Sequence, residues 1–453
     1  MKHQPRKAKL KTRNKIAAAG ICLGVIAGGG LHVQAQTTNQ DQKLDQLEQQ
    51  NQDLQKRLQT LEDLATKNGL LPSSDKAGDP PVSAATDFGI SGFVTTSYFH
   101  DSTEPPAENG HVSPGYLWNR KNDNFSINKV KLTFASPPVQ ASGDKFDVAY
   151  RASFIAGQDA PIVNSGSGTT GFDYLREAYL ELNIPIGSGL NVRAGELISL
   201  LNYESGDGGA ANDNFSQGFQ WFYTGNGPAG GIQLGYDFTD KIGVKIRVQN
   251  GLYAGPIDNN SSKTVVGAVD LKPTTNLWVN LLAFGGREDA FSQSVVGGEI
   301  LGGFQATSAL SFGTELDYFD FKNASTAVPP GNNSVWSAGL WSTYAFTPEW
   351  ALAFRGEFLR DPHGADISGG PLGPGGVYTP GALGLLNPPG TGQEISSYTL
   401  TLDYKPLPRI KIQPEIRYDH TDWSHGWDPS VATPNSVGKK NRFEYGVGAS
   451  YLF

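Results

Sequence analysis

The stretch RFEYGVGASYLF, at positions 442–453, decides the fold class. Apolar residues occupy every second position from Phe443 to Phe453, and the positions between them hold Arg442, Glu444, glycine, serine and one leucine. A period of two places alternate side chains on opposite faces of a β-strand. The stretch therefore predicts a strand that lies between an apolar and a polar environment.

The same alternation recurs upstream, throughout residues 88–453. It is clearest at 145–156, 229–238, 241–250, 349–360 and 408–419. Several charged residues follow one another along the polar face, which would be too costly in the dry core of a β-sandwich. They are acceptable if that face meets water, as in the interior of a membrane-spanning barrel. We predict an all-β chain folded as a transmembrane antiparallel β-barrel, with a soluble sandwich or propeller as the alternative.

The lengths of the connections predict the number of strands. Short turns alternate with long, Gly- and Pro-rich segments, as in outer-membrane barrels, which have short periplasmic turns, long outer loops and an even number of strands. The pattern predicts 16 strands, near 88–99, 125–135, 145–156, 174–184, 189–196, 229–238, 241–250, 263–271, 275–285, 294–305, 308–321, 334–346, 349–360, 395–405, 408–419 and 442–453. Residues 197–228 then form one long third loop, although Phe215–Tyr223 resembles a strand. Pro414 predicts a bulge, because proline removes a ladder hydrogen bond.

Residues 1–35 are typical of a secretory signal peptide. Basic residues between Lys2 and Lys15 precede an apolar run, and Val33-Gln34-Ala35 fits a cleavage site. This segment carries seven of the 36 basic residues, none of the 44 acidic ones, and the single cysteine, Cys22. The mature chain is therefore acidic and free of cysteine, which excludes a disulfide or a thiolate metal site and argues against nucleic-acid binding. We expect no cofactor and no metal.

Residues 36–67 carry a different pattern, with key positions spaced alternately by three and four. The seam consists of Leu44, Leu47, Asn51, Leu54, Leu58 and Leu61. This is the a/d heptad spacing of coiled coils, in which an asparagine at position a fixes the register. We expect a short periplasmic coiled-coil helix that oligomerises the chain, with a solvated amphipathic helix as the alternative. A flexible linker rich in Pro, Gly and Ser follows at 68–87.

Two segments resemble a known family. The first contains REAYLEL at 176–182, Pro185, Gly187, VRAGEL at 192–197 and Tyr203-Glu204. The second is the aromatic C-terminus, where Tyr451 and Phe453 resemble the signal that outer-membrane proteins present to the barrel-assembly machinery. Over residues 88–453 the chain is similar to the OmpL-like outer-membrane β-barrel porins. This resemblance implies diffusion of small solutes and does not fix the substrate.

Charged residues on the polar face are the candidate pore-lining residues, because a pore selects by its width and by charges in a confined channel. They are Lys129, Lys131, Arg151, Glu177, Glu181, Arg193, Lys245, Arg247, Glu315, Asp317, Arg355, Glu357, Lys411, Glu415 and Arg417. Glu204, Asp207 and Asp213 make the third loop a candidate constriction that favours cations or neutral solutes. Aromatic girdles at the membrane interfaces are predicted from Trp336, Trp341, Phe346, Trp350, Tyr398, Tyr404 and Tyr418.

These patterns predict a non-enzymatic porin of the bacterial outer membrane, with a periplasmic N-terminus, that passes small polar solutes or ions. The expected partners are outer-membrane lipid, further copies of the chain, with a trimer favoured, the barrel-assembly machinery and peptidoglycan. One alternative is a structural tether, in which the coiled coil holds peptidoglycan. Another is a barrel hydrolase, for which His420 and His425 with Asp419, Asp422 and Ser424 come nearest to a catalytic cluster.

Overall fold

The structure is a computed structural model that describes Lys56 and residues 88–453, apart from 106–110, 114, 117, 142, 165–171, 226, 253–256, 259, 289–293, 323–332, 364–391, 424–425 and 428–437. The predicted signal peptide, coiled coil and linker therefore lie outside the described residues, with the exception of Lys56. In the part of the chain that is described, no helix has the length and apolar character needed to span a membrane.

Sixteen strands form one closed antiparallel barrel, in which neighbours in the chain pair with each other and β1 pairs with β16. They are β1 Gly89–Asp101, β2 Asn124–Ala135, β3 Asp147–Ala156, β4 Leu175–Ile184, β5 Leu190–Leu197, β6 Ala229–Asp237, β7 Ile242–Gln249, β8 Thr264–Thr274, β9 Leu277–Arg287, β10 Ser294–Gln305, β11 Leu310–Lys322, β12 Asn333–Ala345, β13 Trp350–Asp361, β14 Gln393–Leu407, β15 Ile410–Thr421 and β16 Asn441–Leu452. Among the described residues of the long connections, two short α-helices, α1 (Ala160–Val163) and α2 (Phe219–Tyr223), and one 3-10 helix, Gly208–Ala210, are present. The predicted all-β barrel of 16 strands is confirmed.

The two ends of the described chain close the barrel. β1 and β16 are in register from Phe93 opposite Leu452 to Asp101 opposite Glu444. Beyond this ladder the Gly92 N–H donates to the Phe453 carbonyl at 2.9 Å, and the Phe453 N–H donates to the Gly92 carbonyl at 3.0 Å. Closure pairs both edges of the sheet, as a lipid environment without hydrogen-bonding partners requires.

Large apolar side chains cover the outer face of the barrel. Phe125 is 86% exposed, and Leu180, Ile232 and Ile246 are more than half exposed. Aromatic pairs lie outward at both ends of the strands, with Trp350–Tyr404 and Tyr344–Phe346 at the turn end and Trp336–Phe358 and Tyr418–Phe443 at the loop end. This is the arrangement of a lipid-facing band between two aromatic girdles.

One residue of the predicted girdles was assigned wrongly. Trp341 lies on the inward face of β12, where it is 7% exposed and its ring centroid is 4.6 Å from that of Tyr203. Alternation along β12 explains this placement, since Ser337 and Gly339, at the preceding odd-numbered positions, also face inward. Trp341 therefore belongs to the barrel interior.

The structure shows the conformation of two segments that the alternation pattern left ambiguous, Phe215–Tyr223 and the surroundings of Pro414. Phe219–Tyr223 forms helix α2 inside the third loop. This segment is therefore not an additional strand, in agreement with the even number of strands that was predicted. The bulge predicted at Pro414 was wrong, because Pro414 stays in register opposite Val447 of β16. The ladder between β14 and β15 skips the residues around Pro414 and resumes at Tyr404 opposite Ile412 without a shift. The missing N–H of proline therefore costs a ladder contact with β14 and does not change the register.

The inward face is apolar near the loop end of several strands. One cluster joins Val266, Ala268, Leu282, Phe284, Val295, Leu301, Phe319, Phe321 and Val335 of β8–β12 to Leu201 and Leu252 of two loops. A second cluster contains Tyr116, Phe219, Tyr223, Leu359, Ile395 and Trp427. These clusters pack loops against the wall, so this part of the barrel interior is not the uniformly wet surface that the charged strand positions suggested.

Candidate functional site

The third loop, described at residues 198–225 and 227–228, crosses the interior of the barrel. On one side the Lys131 ammonium of β2 lies 2.8 Å from the Asp207 carboxylate. On the opposite side the Tyr203 N–H donates to Glu315 of β11 at 2.7 Å. The loop thus narrows the barrel between two walls that lie far apart in the strand order.

Carboxylates of the wall hold the backbone of this loop. Further N–H groups that donate to them are Asn202 to Glu299 (3.2 Å), Phe215 to Glu415 (2.8 Å), Ser216 to Glu415 (3.2 Å) and Gln220 to Glu357 (3.0 Å). A buried loop must find a partner for each backbone N–H, and these side chains supply it. The carboxylates therefore have a structural task besides any effect on solutes.

Arg355 of β13 is the centre of a dense polar network in the described interior. Its Nη1 donates to Glu204 at 2.8 Å and to the Ser216 carbonyl at 2.6 Å, and its Nη2 donates to Thr399 at 2.9 Å. Its Nε lies 3.2 Å from a carboxylate oxygen of Glu357. Because Arg355 is fully buried, this many partners are needed to offset the loss of hydration.

Glycines on the inward face form seats for the loop. A Cβ built on Gly448 would lie 2.0 Å from the Phe215 ring, and one on Gly313 would lie 2.1 Å from the Tyr203 ring. The loop reaches the wall only because these positions have no side chain. Burial raises the pKa of Tyr203 to about 12, so its hydroxyl stays neutral in this contact. Glycine on a polar strand face was the sequence signal that could have shown where the loop packs.

The first loop is also fixed to the inward wall, through Tyr116. Its hydroxyl donates to Asp419 at 2.6 Å, and burial raises the pKa of Tyr116 well above its ordinary value. The guanidinium carbons of Arg442 and Arg417 lie 3.9 Å and 4.5 Å from the centroid of the Tyr116 ring. The sequence reasoning missed Tyr116, Asp419 and Arg442 as members of this network, because a loop aromatic does not reveal its partners.

Three buried carboxylates lie together on β10 and β11. One oxygen from each of Glu299, Glu315 and Asp317 lies within 4.8 Å of the others, a spacing at which oxygen ligands could hold a cation. Within the described part of the chain none of the three is in an ion pair with Lys or Arg. Neutral donors alone, such as the Tyr203 N–H and the Ser337 hydroxyl, offset their repulsion.

The opposite wall, β2–β7, faces open space. A cavity of about 450 Å³ lies between this wall and the third loop, and Lys131, Arg151, Glu177, Arg193 and Arg247 are among its lining residues. A second cavity of about 670 Å³ opens at the turn end of β5–β9, where Lys245 and Asp270 line it. The two cavities follow the same side of the barrel.

The predicted pore-lining residues all lie on the inward face, in two groups. Those that line the open side are Lys131, Arg151, Glu177, Glu181, Arg193, Lys245 and Arg247, of which Lys131 and Arg247 also contact the third loop, at Asp207 and Ile198. Those in contact with the third loop are Lys129, Glu315, Asp317, Arg355, Glu357, Lys411, Glu415 and Arg417. In the loop itself Glu204 and Asp207 are paired with cations, whereas Asp213 is exposed and accepts a hydrogen bond from Thr343.

The candidate hydrolase cluster is divided by strand alternation. Asp419 points inward to Arg417 and Arg442, whereas His420, the next residue of β15, lies on the other face with its Nδ1 2.7 Å from Asn441. Ser424 and His425 lie outside the described residues. Asp419 and His420 therefore lie on opposite faces of the barrel wall and do not form one catalytic group.

Comparisons with known proteins agree with this geometry. A model of the family described as "Putative beta-barrel porin-2, OmpL-like" matches residues 87–453. No curated protein matches the chain. Similar solved structures include a loop L8 deletion mutant of OmpT, an outer membrane protein of Vibrio cholerae (12% identity, 81% of this chain and 99% of that one, TM-score 0.50). Others are the outer membrane channel DcaP of Acinetobacter baumannii (13% identity, 81% and 97%, TM-score 0.50) and OprB of Pseudomonas putida (11% identity, 81% and 94%, TM-score 0.51). At these identities the likeness is one of fold.

Proposed function

Because the chain belongs to the outer-membrane barrel family described as "Putative beta-barrel porin-2, OmpL-like", we propose that it forms a water-filled channel in the bacterial outer membrane. Small polar solutes or ions would cross it by passive diffusion. The family supports a location in the outer membrane, and the closed barrel of 16 strands is the fold of such a channel. The proposal concerns what passes through the barrel.

The observation that carries the proposal is the open space beside the third loop. The cavity of about 450 Å³ is bounded on one side by Arg151 and Arg193, whose side chains are 37% and 39% exposed although they face inward. Charged side chains keep this exposure inside a barrel only where water reaches them. The sector is therefore hydrated.

Packing elsewhere fills much of the interior, although a smaller cavity of about 300 Å³ lies between the third loop and β11–β12. Near the loop end of β8–β12 the interior is filled by the apolar cluster that contains Phe319 and Phe321, and the cluster around Phe219 fills it beside β13 and β14. In the open sector, by contrast, β6 contributes the inward-facing Gly235, where even an added Cβ would have no neighbour closer than 3.8 Å. A channel along β2–β7 follows from this asymmetry.

We extend the proposal to the segments outside the described barrel. Residues 1–35 would direct secretion, residues 36–67 would form a periplasmic coiled coil that holds a homotrimer together, and residues 68–87 would link it to the barrel. Tyr451 and Phe453 would be read by the barrel-assembly machinery, and the coiled coil would lie within reach of peptidoglycan. The support is the heptad seam of Leu44–Leu61 and the aromatic C-terminus.

Conductance in planar bilayers tests the channel, and a thiol placed in the path tests its position. The mature chain has no cysteine, so Gly235→Cys would provide a unique thiol. A Cβ on Gly235 would make ordinary contacts, 3.8 Å from Asn191 and Lys245, so the substitution fits. We expect discrete conductance steps, and a marked fall in current when a bulky thiol reagent reacts with this variant.

The matched control is Gly267→Cys on the outer face of β8, where a Cβ also fits, with its nearest contact at 4.0 Å. Modification of this thiol should leave the current unchanged. Folded protein without conductance would end the channel proposal. Conductance that both thiols leave unaffected would place the path elsewhere in the barrel.

A further inference from the structure

We propose that the passage beside the third loop selects small anions, which move along a series of cationic side chains on β3, β5 and β7. The inference rests on the proposed channel and names its substrate class. It replaces the expectation, drawn from the acidic residues of the third loop, that cations or neutral solutes are favoured.

The cations lie on successive rungs of the β-ladder. Arg193 pairs opposite Gln233, and Gln233 pairs opposite Arg247, so the two arginines lie on one rung, separated by a single strand. Arg151 lies one inward position nearer the loop end, and Lys245 lies one nearer the turn end. Inward positions along a strand are about 6.6 Å apart. An anion would therefore find a cation at each step along the wall.

The acidic partners of Arg151 and Arg193 are much less exposed than the arginines themselves. The Arg151 side chain is 37% exposed but Glu177, 2.6 Å away, is only 3% exposed. The Arg193 side chain is 39% exposed but Glu181, 2.8 Å away, is only 8% exposed. These two carboxylates lie behind the guanidinium groups, so the solute meets mainly positive charge at both arginines. Asp270, the partner of Lys245, is 19% exposed against 35% for the lysine. In a confined space this charge is less screened than in bulk water.

Arg247 has no acidic partner among the described residues. Its Nε and Nη2 donate to Gln233 at 3.1 and 2.8 Å, and its Nη1 donates to the Ile198 carbonyl at 2.7 Å. All three acceptor contacts are neutral, the residue is only 4% exposed, and the nearby charge that acts on it is the like charge of Arg193. A nearly buried cation without a counter-charge is unfavourable unless another anion approaches it. A solute in the cavity that both arginines line would supply that charge.

Two of the three acidic residues of the third loop are paired with cations. Glu204 is bonded to Arg355 and Asp207 to Lys131, at 2.8 Å in each case. Arg355 is shared with Glu357. The third acidic residue, Asp213, is exposed and lies against Thr343 of β12, and it is not among the residues that line the cavity beside the arginines. The planar guanidinium fork suits carboxylate and phosphate oxygens. Several weak sites in series, and not one tight site, are what conduction requires.

The test is the reversal potential of single channels in a KCl gradient, for the wild type and for Arg193→Gln and Arg247→Gln. We expect chloride to be more permeant than potassium in the wild type. Each substitution should lower the chloride-to-potassium permeability ratio about threefold or more, since one positive charge leaves the passage. Inorganic phosphate added to one side should reduce the chloride current of the wild type and affect both variants less.

Arg360→Gln is the matched control, because Arg360 lies on the outer face of β13, is 48% exposed and is paired with Glu394. It removes the same charge and should leave the ratio unchanged. Arg247→Lys keeps the charge and should keep anion preference, which separates loss of charge from misfolding. Channels that prefer potassium, or a ratio that neither variant lowers, would overturn this inference while leaving the channel proposal intact. Folded protein without conductance would instead overturn the channel proposal and this inference with it.

Discussion

The guanidinium of Arg355 on β13 and the carboxylate of Glu204 in the third loop form a buried ion pair, with 2.8 Å between Nη1 and Oε1. The same guanidinium lies beside Glu357, its neighbour on the inward face of the strand. One cation therefore compensates two carboxylates, and the third loop depends on that cation for its position.

Arg355→Gln should destabilise the barrel more than Glu204→Gln. The first change leaves Glu204 buried without its paired cation and removes the cation paired with Glu357, which costs about 3 kcal/mol or more. The second leaves Arg355 paired with Glu357 and keeps an oxygen that can accept the Gly218 N–H. The measurement is the temperature at which the folded band is lost in SDS gels. A larger loss for Glu204→Gln would contradict the assignment of Arg355 as the shared partner.

Gly448→Ala should loosen the third loop. A Cβ there would lie 2.0 Å from the Phe215 ring, so the ring must move, at a cost of about 1–3 kcal/mol typical of overpacking. We expect a lower thermal midpoint and noisier channel currents, since the displaced loop borders the passage. Gly235→Ala, also on the inward face but with its nearest contact at 3.8 Å, is the control. Equal effects of the two changes would show that the loop does not rest on Gly448.

Glu299→Gln should stabilise the barrel, whereas Glu357→Gln should destabilise it. Glu299 lies near Glu315 and Asp317 without a cation among the described residues, so removal of its charge relieves repulsion while an amide oxygen still accepts the Asn202 N–H. Glu357 is paired with Arg355, so the same change removes an attraction. Thermal midpoints measured in EDTA exclude a bound divalent cation. A lower midpoint for Glu299→Gln in EDTA would contradict the repulsion.

The strands could be predicted because one physical rule governs most of them. A wall between lipid and water requires a period of two, and this period located all sixteen strands, including β15 with its awkward Pro414. The rule weakens where both sides of the wall are dry. On β11, Phe319 and Phe321 face the interior while Leu316 and Tyr318 face outward, so the alternation there no longer distinguishes the two faces.

The candidate site could be predicted as a set of residues but not as an arrangement. The charged inward positions were found from the pattern, but the sequence does not reveal that Glu415 holds the backbone of Phe215, some 200 positions earlier. Nor does it show which member of a pair such as Arg193 and Glu181 is exposed. These relations depend on the path of the third loop, which has no period from which to predict it.

Deletion of residues 36–67 should leave the barrel folded and reduce its oligomeric state. The barrel closes through β1 and β16 alone, whereas the heptad seam is the element predicted to hold copies together. Sedimentation in detergent measures the oligomer, and the heat-dependent band shift measures the fold. A deletion within the linker, at 72–80, is the control and should preserve the oligomer. A deletion of 36–67 that sediments like the full chain would show that the barrels associate by themselves.

Phe453→Ala should impair assembly in cells far more than folding in detergent. The seam is closed there by the two backbone hydrogen bonds between Phe453 and Gly92, at 2.9 and 3.0 Å, which do not need the ring. If the ring is part of the assembly signal, its loss should lower the amount of folded barrel in outer-membrane fractions while the purified chain still refolds. Phe443→Ala is the control, because Phe443 is an outward aromatic of the same strand and is 48% exposed. Equal losses of folded barrel for both variants in cells would show that the effect comes only from the loss of apolar lipid-facing surface. A refolding defect of the purified Phe453→Ala chain would show that the ring stabilises the seam itself.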